Sequence, residues 1–300
     1  MIDYENGNWA AILVRIRGSV IPRLAPRVLI AAGIGAAAAW VHEVHSYALS
    51  PIAHTMIGVA LGLLLVFRTN ASYDRYWEGR KLLGMMVNRG RDLARQATIF
   101  LAAEEERAHV RRLIQAWYQV VVQTLRSAPD LSALAELLTP EEREALEPLT
   151  HRAPALAGWI GARLVAQAQS GALSEQRLVA MDANLTALTD ALGGCERIRR
   201  TPIPFAYAQH IKIFVVVFCF TAPFAMADAM RWYTPLVAGL LAFALFGIDE
   251  IGVEIEDPFG TDPNDLPLEA IGATVAKSIE DIAASPPDAR EEQLSRADAA

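Results

Sequence analysis

The chain has 300 residues, 53% of them apolar and 20% charged, with a net charge of −7 and two cysteines. That apolar excess favours one membrane protein with a water-facing part over two soluble domains, and the negative balance argues against a nucleic-acid partner. Cys195 and Cys219 offer no CxxC or Cys/His metal spacing and imply no disulfide framework.

Residues 1–27 read as an amphipathic cytoplasmic segment, with Trp9, Ile12, Leu13 and Ile16 at helical spacing and Arg15 and Arg17 beside them. Met1 to Glu5 lack the basic stretch of a signal peptide, so the first apolar run is expected to stay as an anchor. Pro22 and Pro26 punctuate the approach to that run, Val28 to Val41, whose many Gly and Ala residues predict close helix packing. His42, Glu43, His45 and Ser46 are expected to form a short loop, with His42, His45 and His54 solvated rather than acting as a metal or proton sensor. A second apolar stretch, Ile52 to Phe67, completes two transmembrane helices within residues 28–80. At about 1.5 Å per residue it reaches roughly 25 Å, a little short of a ~30 Å hydrocarbon core. At Arg68 the character flips to charged, and no proline interrupts Pro51 to Gly84, so one helix is expected to run from bilayer into water. The basic flanks on either side of the His-bearing loop predict a cytoplasmic N-terminus and an external loop.

Val59, Leu63 and Phe67 lie four apart on one stripe of this helix. Lipid contact, bundle core and pore lining all accommodate such a stripe. Gly58 and Gly62 form a small-xxx-small pair that would admit a neighbouring helix.

Residues 81–211 read as a cytoplasmic helical region. Thr139-Pro140-Glu141-Glu142 is a helix start, Ser174 precedes another, and Gly193-Gly194 is expected to end that one. Residues 212–250 hold the third and fourth spans, Ile213 to Ala227 and Pro235 to Ile248, with Pro223 kinking the first and Asp249-Glu250 ending the second. Residues 251–284 form an acidic, turn-rich loop and one more helix, and 285–300 an extended or disordered tail. No GxSxG, Walker, GxGxxG or HExxH motif occurs, so no enzymatic role and no cofactor is expected. Glu254 and Glu256 read as solvated, or paired with the Arg-rich helix after Arg68, rather than as an acid/base couple.

Four blocks carry a resemblance: FRTNASYDRYWEGRKLLG from Phe67, GNWxxxxxRxRGSVIPRLxPR from Gly7, GGCERIRRTPIPFAYAQHIK from Gly193, and EDPFGTDPNDLPL from Glu256. They resemble the bestrophin family of ion channels in its bacterial branch; residues 102–192 add little. The resemblance implies an all-α protein, with four transmembrane helices and a cytoplasmic helical bundle, assembled as a homopentamer around one axial pore. It implies a passive, multi-pass channel of the bacterial inner membrane with both termini cytoplasmic. Its partners would be the lipid bilayer, permeant inorganic ions and copies of itself. By position the family's hydrophobic neck falls on Val59, Leu63 and Phe67, and its cytoplasmic aperture near Val179. A calcium clasp known in animal members maps to Asp257, Asp262 and Asp265, although Pro263 and Asn264 interrupt the acidic run; the alternative is that these acids cap turns at a subunit interface. Apolar rings do not choose between chloride and monovalent cations. Animal relatives favour chloride, the bacterial branch includes cation conductors, and the acidic balance leans toward cations. A non-conducting membrane scaffold whose bundle binds a partner is the rival reading. A secondary transporter is disfavoured by the absence of an inverted repeat.

Overall fold

The computed structural model describes Gly7 and residues 9–284, so the tail expected to be extended at 285–300 lies outside the described residues. Within these, the regular structure is helical, with no strand. The α-helices run α1 Trp9–Val14, α2 Ile21–His45, α3 Pro51–Phe100, α4 Glu104–Arg126, α5 Pro140–Leu146, α6 Arg152–Gln169, α7 Glu175–Arg200, α8 Phe205–Met230, α9 Thr234–Glu254 and α10 Leu268–Ala284. A 3-10 turn, Arg231–Tyr233, joins α8 to α9.

Several helices exceed their sequence limits. α2 begins before its prolines, because Pro22 stands in the first turn, where no N–H bond is needed, and Pro26 removes only the bond to the carbonyl one turn back. It also continues through His42, Glu43 and His45, which therefore belong to a helix and not to a loop; Ser46 ends it at a positive φ of 52°. α7 runs through Gly193-Gly194 to Arg200. A Cβ on Gly194 would lie 2.8 Å from Leu82 Cδ1, so this glycine serves a close approach of helices rather than a stop. α9 passes Asp249-Glu250 and ends only at Glu254, since both acids are buried and paired (below) and have no need of water.

The described residues divide into two compact units, one reaching to Glu78 with Thr201–Asp265, the other Gly79–Arg200 with the residues from Leu266 on. In the first unit α2, α3, α8 and α9 share one apolar core, including Leu24, Leu61, Leu65, Val215, Phe218, Ala242 and Phe246. The Gly/Ala face of α2 packs closely on α9: a Cβ on Gly35 would lie 2.8 Å from the Pro235 Cα. Among the described residues, three stretches are long and apolar enough to cross a membrane, Ile21–His45, Pro51–Phe100 and Phe205–Glu254, the last comprising α8, the 3-10 turn and α9.

In the second unit Val110, Leu113, Ile114, Trp117 and Val121 of α4 recur on one helical face and are buried. α4 packs on α6, α7 and α10, where Ile160, Leu188 and Val275 are also buried. Thr139 and Glu142 form the expected capping box of α5: Glu142 N–H donates to Thr139 Oγ1 at 3.2 Å, and Thr139 N–H to Glu142 Oε2 at 2.9 Å.

Candidate pore face and buried ionic cluster

The part of α3 in the first unit has two faces of opposite character. Gly58, Leu61, Leu65, Arg68 and Ser72 recur at spacings of three and four, and the last four are buried. Gly58 faces α8, where a Cβ would meet the Phe218 ring at 3.1 Å. Val59, Leu63 and Phe67 lie on the opposite side and are 73, 55 and 55% exposed. Such apolar exposure on one long helix marks a surface that something other than this chain's own core covers. Gly62 meets no side chain within 4 Å of a Cβ, so the close approach inferred from the Gly58/Gly62 pair is made, within the chain, by Gly58 alone.

Where α3 turns charged, the inward face carries ions into the core. Arg68 is 1% exposed, with Nη1 2.9 Å from Asp249 Oδ1 and Nη2 3.7 Å from Glu256 Oε2. Lys212 reaches the other Asp249 oxygen at 3.3 Å. Arg27 pairs with Glu250 at 2.9 Å, and Arg75 Nε donates to the Glu256 carbonyl at 3.1 Å. Desolvating such charges costs several kcal/mol per ion unless each is paired, which these are. Of the two alternatives expected for Glu256, solvation or pairing with this helix, it takes the pairing, with Arg68. Glu254 instead faces Arg23 at 3.9 Å and accepts from Asn264 Nδ2 at 2.7 Å. The burial of Asp249 and Glu250 is not among the sequence expectations; the available signal is their place directly after an apolar run whose neighbouring helices supply Arg27, Arg68 and Lys212.

The acidic loop is tied down by its own carboxylates. Asp265 is buried and accepts the Asp262 N–H at 2.6 Å, and Asp257 accepts the Phe259 N–H at 3.2 Å. The Asp257 and Asp265 carboxylates both face Gly260, where a Cβ would lie 3.4 and 2.7 Å from their oxygens. Asp262 turns to Arg23, 3.1 Å away. Calcium takes six to eight oxygens. Here two of the three carboxylates converge, each already accepting a backbone N–H, and the third is drawn to a guanidinium. Among the described residues, no three acidic, His or Cys side chains gather in a metal-binding group.

Val179 stands exposed on α7 in the second unit. His54 is half-buried and not solvated as expected, its Nε2 lying 3.0 Å from Thr221 Oγ1. His42 Nε2 lies 3.5 Å from Asp228 Oδ1. Cys195 and Cys219 are both buried and form no disulfide.

Fold and site together define an all-helical membrane protein in which an exposed apolar helix face ends at a buried ionic cluster. The chain belongs to the bacterial and fungal bestrophin family, whose pattern it matches over residues 1–281. It is 40% identical over 293 residues to a voltage-dependent anion channel-forming protein of Nostoc sp., covering 96% of this chain and 95% of the relative. It is 32% identical over 276 residues to the protein of that same description in Escherichia coli, covering 90% of each. The crystal structure of a bacterial bestrophin homologue from Klebsiella pneumoniae matches with a TM-score of 0.82 at 30% identity, over 90% of this chain and 100% of that one.

Proposed function

We propose that the protein is a passive channel for small inorganic anions, a homopentamer in which α3 lines one axial pore and Val59, Leu63 and Phe67 form its neck. The observation that carries this reading is the division of α3 into a buried face and an exposed apolar one. Five copies of that exposed stripe facing an axis would make successive apolar rings. Such rings bar ions by stripping their water, which costs energy that nothing in an apolar ring returns. The names of the relatives favour anions over cations, and the whole-chain acidic balance says little about a neck without charge. In this reading α2, α3, α8 and α9 each cross the inner membrane, both termini are cytoplasmic, and Val179 rings a second constriction. The acidic loop serves as a structural staple rather than a calcium clasp.

The test is planar-bilayer recording of purified protein in asymmetric chloride, wild type beside Val59→Ala/Leu63→Ala/Phe67→Ala. The wild type should reverse near the chloride equilibrium potential, and the triple variant, checked as an intact oligomer, should conduct more and close less. Absence of current, a cation reversal potential or an unaltered triple variant would each overturn a named part: channel, selectivity or neck.

A further inference from the structure

The ion pair between Arg68 and Asp249 is close but incomplete. Although Nη1 and Oδ1 are 2.9 Å apart, neither makes an aligned hydrogen bond, and Arg68 Nε and Ser72 Oγ also lack a protein partner. All four atoms are buried. Thr69 Oγ1 donates to the Leu65 carbonyl at 2.9 Å and keeps its lone pairs. These groups gather round Gly252 of α9, where a Cβ would lie 3.7 Å from Arg68 Nε, 3.8 Å from Thr69 Oγ1 and 4.0 Å from Ser72 Oγ.

We propose that Gly252 is the floor of an internal water site, in which one water joins Arg68 Nε, Ser72 Oγ and Thr69 Oγ1 beside the Asp249 carboxylate. A buried water needs two to four polar partners, and both donors and acceptors are present. An anion is the wrong guest. Arg68 already faces Asp249 and Glu256, and Lys212 also faces Asp249, so the guanidinium at this site is already met by carboxylates. The water completes the bonding of the one guanidinium that α3 carries into the core, next to Phe67. The inference does not depend on conduction.

Full-length protein in detergent, as wild type, Gly252→Ala and Gly252→Ser, tests it by thermal unfolding. The distances around Gly252 leave room for a methyl, and alanine is the better helix former, so with no water to displace Gly252→Ala should match or exceed wild type. With a water there, the methyl expels it, leaves buried donors unpaired and lowers the melting temperature by roughly 2–4 °C. Gly252→Ser, larger but carrying a hydroxyl in the water's place, should recover part of that loss. An alanine variant as stable as wild type, or a serine variant below alanine, would sink the proposal. A crystal structure from bromide-containing solution gives a second readout: solvent density without anomalous signal at Arg68 Nε is expected, and a bromide peak there would overturn water as the guest.

Discussion

Arg68 shows how one residue can change meaning between sequence and structure. In the sequence it is the first charge after sixteen mostly apolar positions, and reads as the point where a helix meets water. In the structure it is among the largest fully buried side chains, and Asp249 and Glu256 are what allow it there. Removing one partner of such a pair strands the other in a dry site. Arg68→Met should therefore cost about 3–5 kcal/mol. Lys212→Met should cost ~1 kcal/mol or less, because the Lys212 side chain is half exposed and solvent screens its pairing with Asp249. Denaturant or thermal unfolding of both variants checks the order, and equal losses would contradict it. In the acidic loop, Asp265→Ala should lower stability by about 1–3 kcal/mol through the unsatisfied Asp262 N–H. Millimolar calcium should leave the melting temperature of the wild type unchanged; a clear rise that Asp262→Ala/Asp265→Ala abolishes would restore the clasp reading.

At the scale of elements, the helices were legible and several of their ends were not. Apolar periodicity, the Thr139 box and the proline positions all concern neighbours in sequence. Gly194 and the Asp249-Glu250 pair resemble stop signals locally, and continue as helix because Leu82, Arg68 and Arg27 meet them from other helices. The α2–α9 contact gives a sharp test. Gly35→Ala places a methyl 2.8 Å from backbone and should cost about 1–3 kcal/mol, whereas Gly33→Ala meets nothing within 4 Å and should be neutral or mildly stabilising. Thermal unfolding of the pair decides it. In the second unit, Arg126 donates to both Glu269 oxygens, at 2.8 and 2.9 Å, tying α10 to α4. This hydrogen-bonded guanidinium holds the Glu269 carboxyl below its ordinary 4.5. The stabilisation is thus complete above pH 4.5 and is lost as pH falls through the lowered value. With the Glu269 side chain 64% exposed, it amounts to less than about 1 kcal/mol. Hydrogen exchange should show α10 better protected in wild type than in Glu269→Gln above pH 4.5, with the difference vanishing in acid. A difference that does not shrink on acidification would assign the protection to packing instead.

At the scale of the whole molecule, the exposed stripe of α3 needs partners that this chain alone does not supply. If copies of the chain provide them, native mass measurement in detergent should give five subunits. A monomer or dimer as the sole species would remove the axial pore, and the stripe would then be a lipid-facing surface.

The sequence by itself determined the all-helical class, the apolar runs and the family, because helical period, span length and motif blocks are properties of consecutive residues. It also marked Val59, Leu63 and Phe67 as one stripe, since four-residue spacing places side chains on one face whatever surrounds them. Which face of α3 turns inward was decided by the tertiary structure, through Leu61 and Leu65 in the core and Arg68 on Asp249. So were the burial of Asp249 and Glu250, the use of Gly35 and Gly194 as contact points, and the turning of Asp262 toward Arg23. Each depends on what another helix, far away in the chain, brings within a few ångströms, and a charge is tolerable or ruinous in a core according to that neighbour alone.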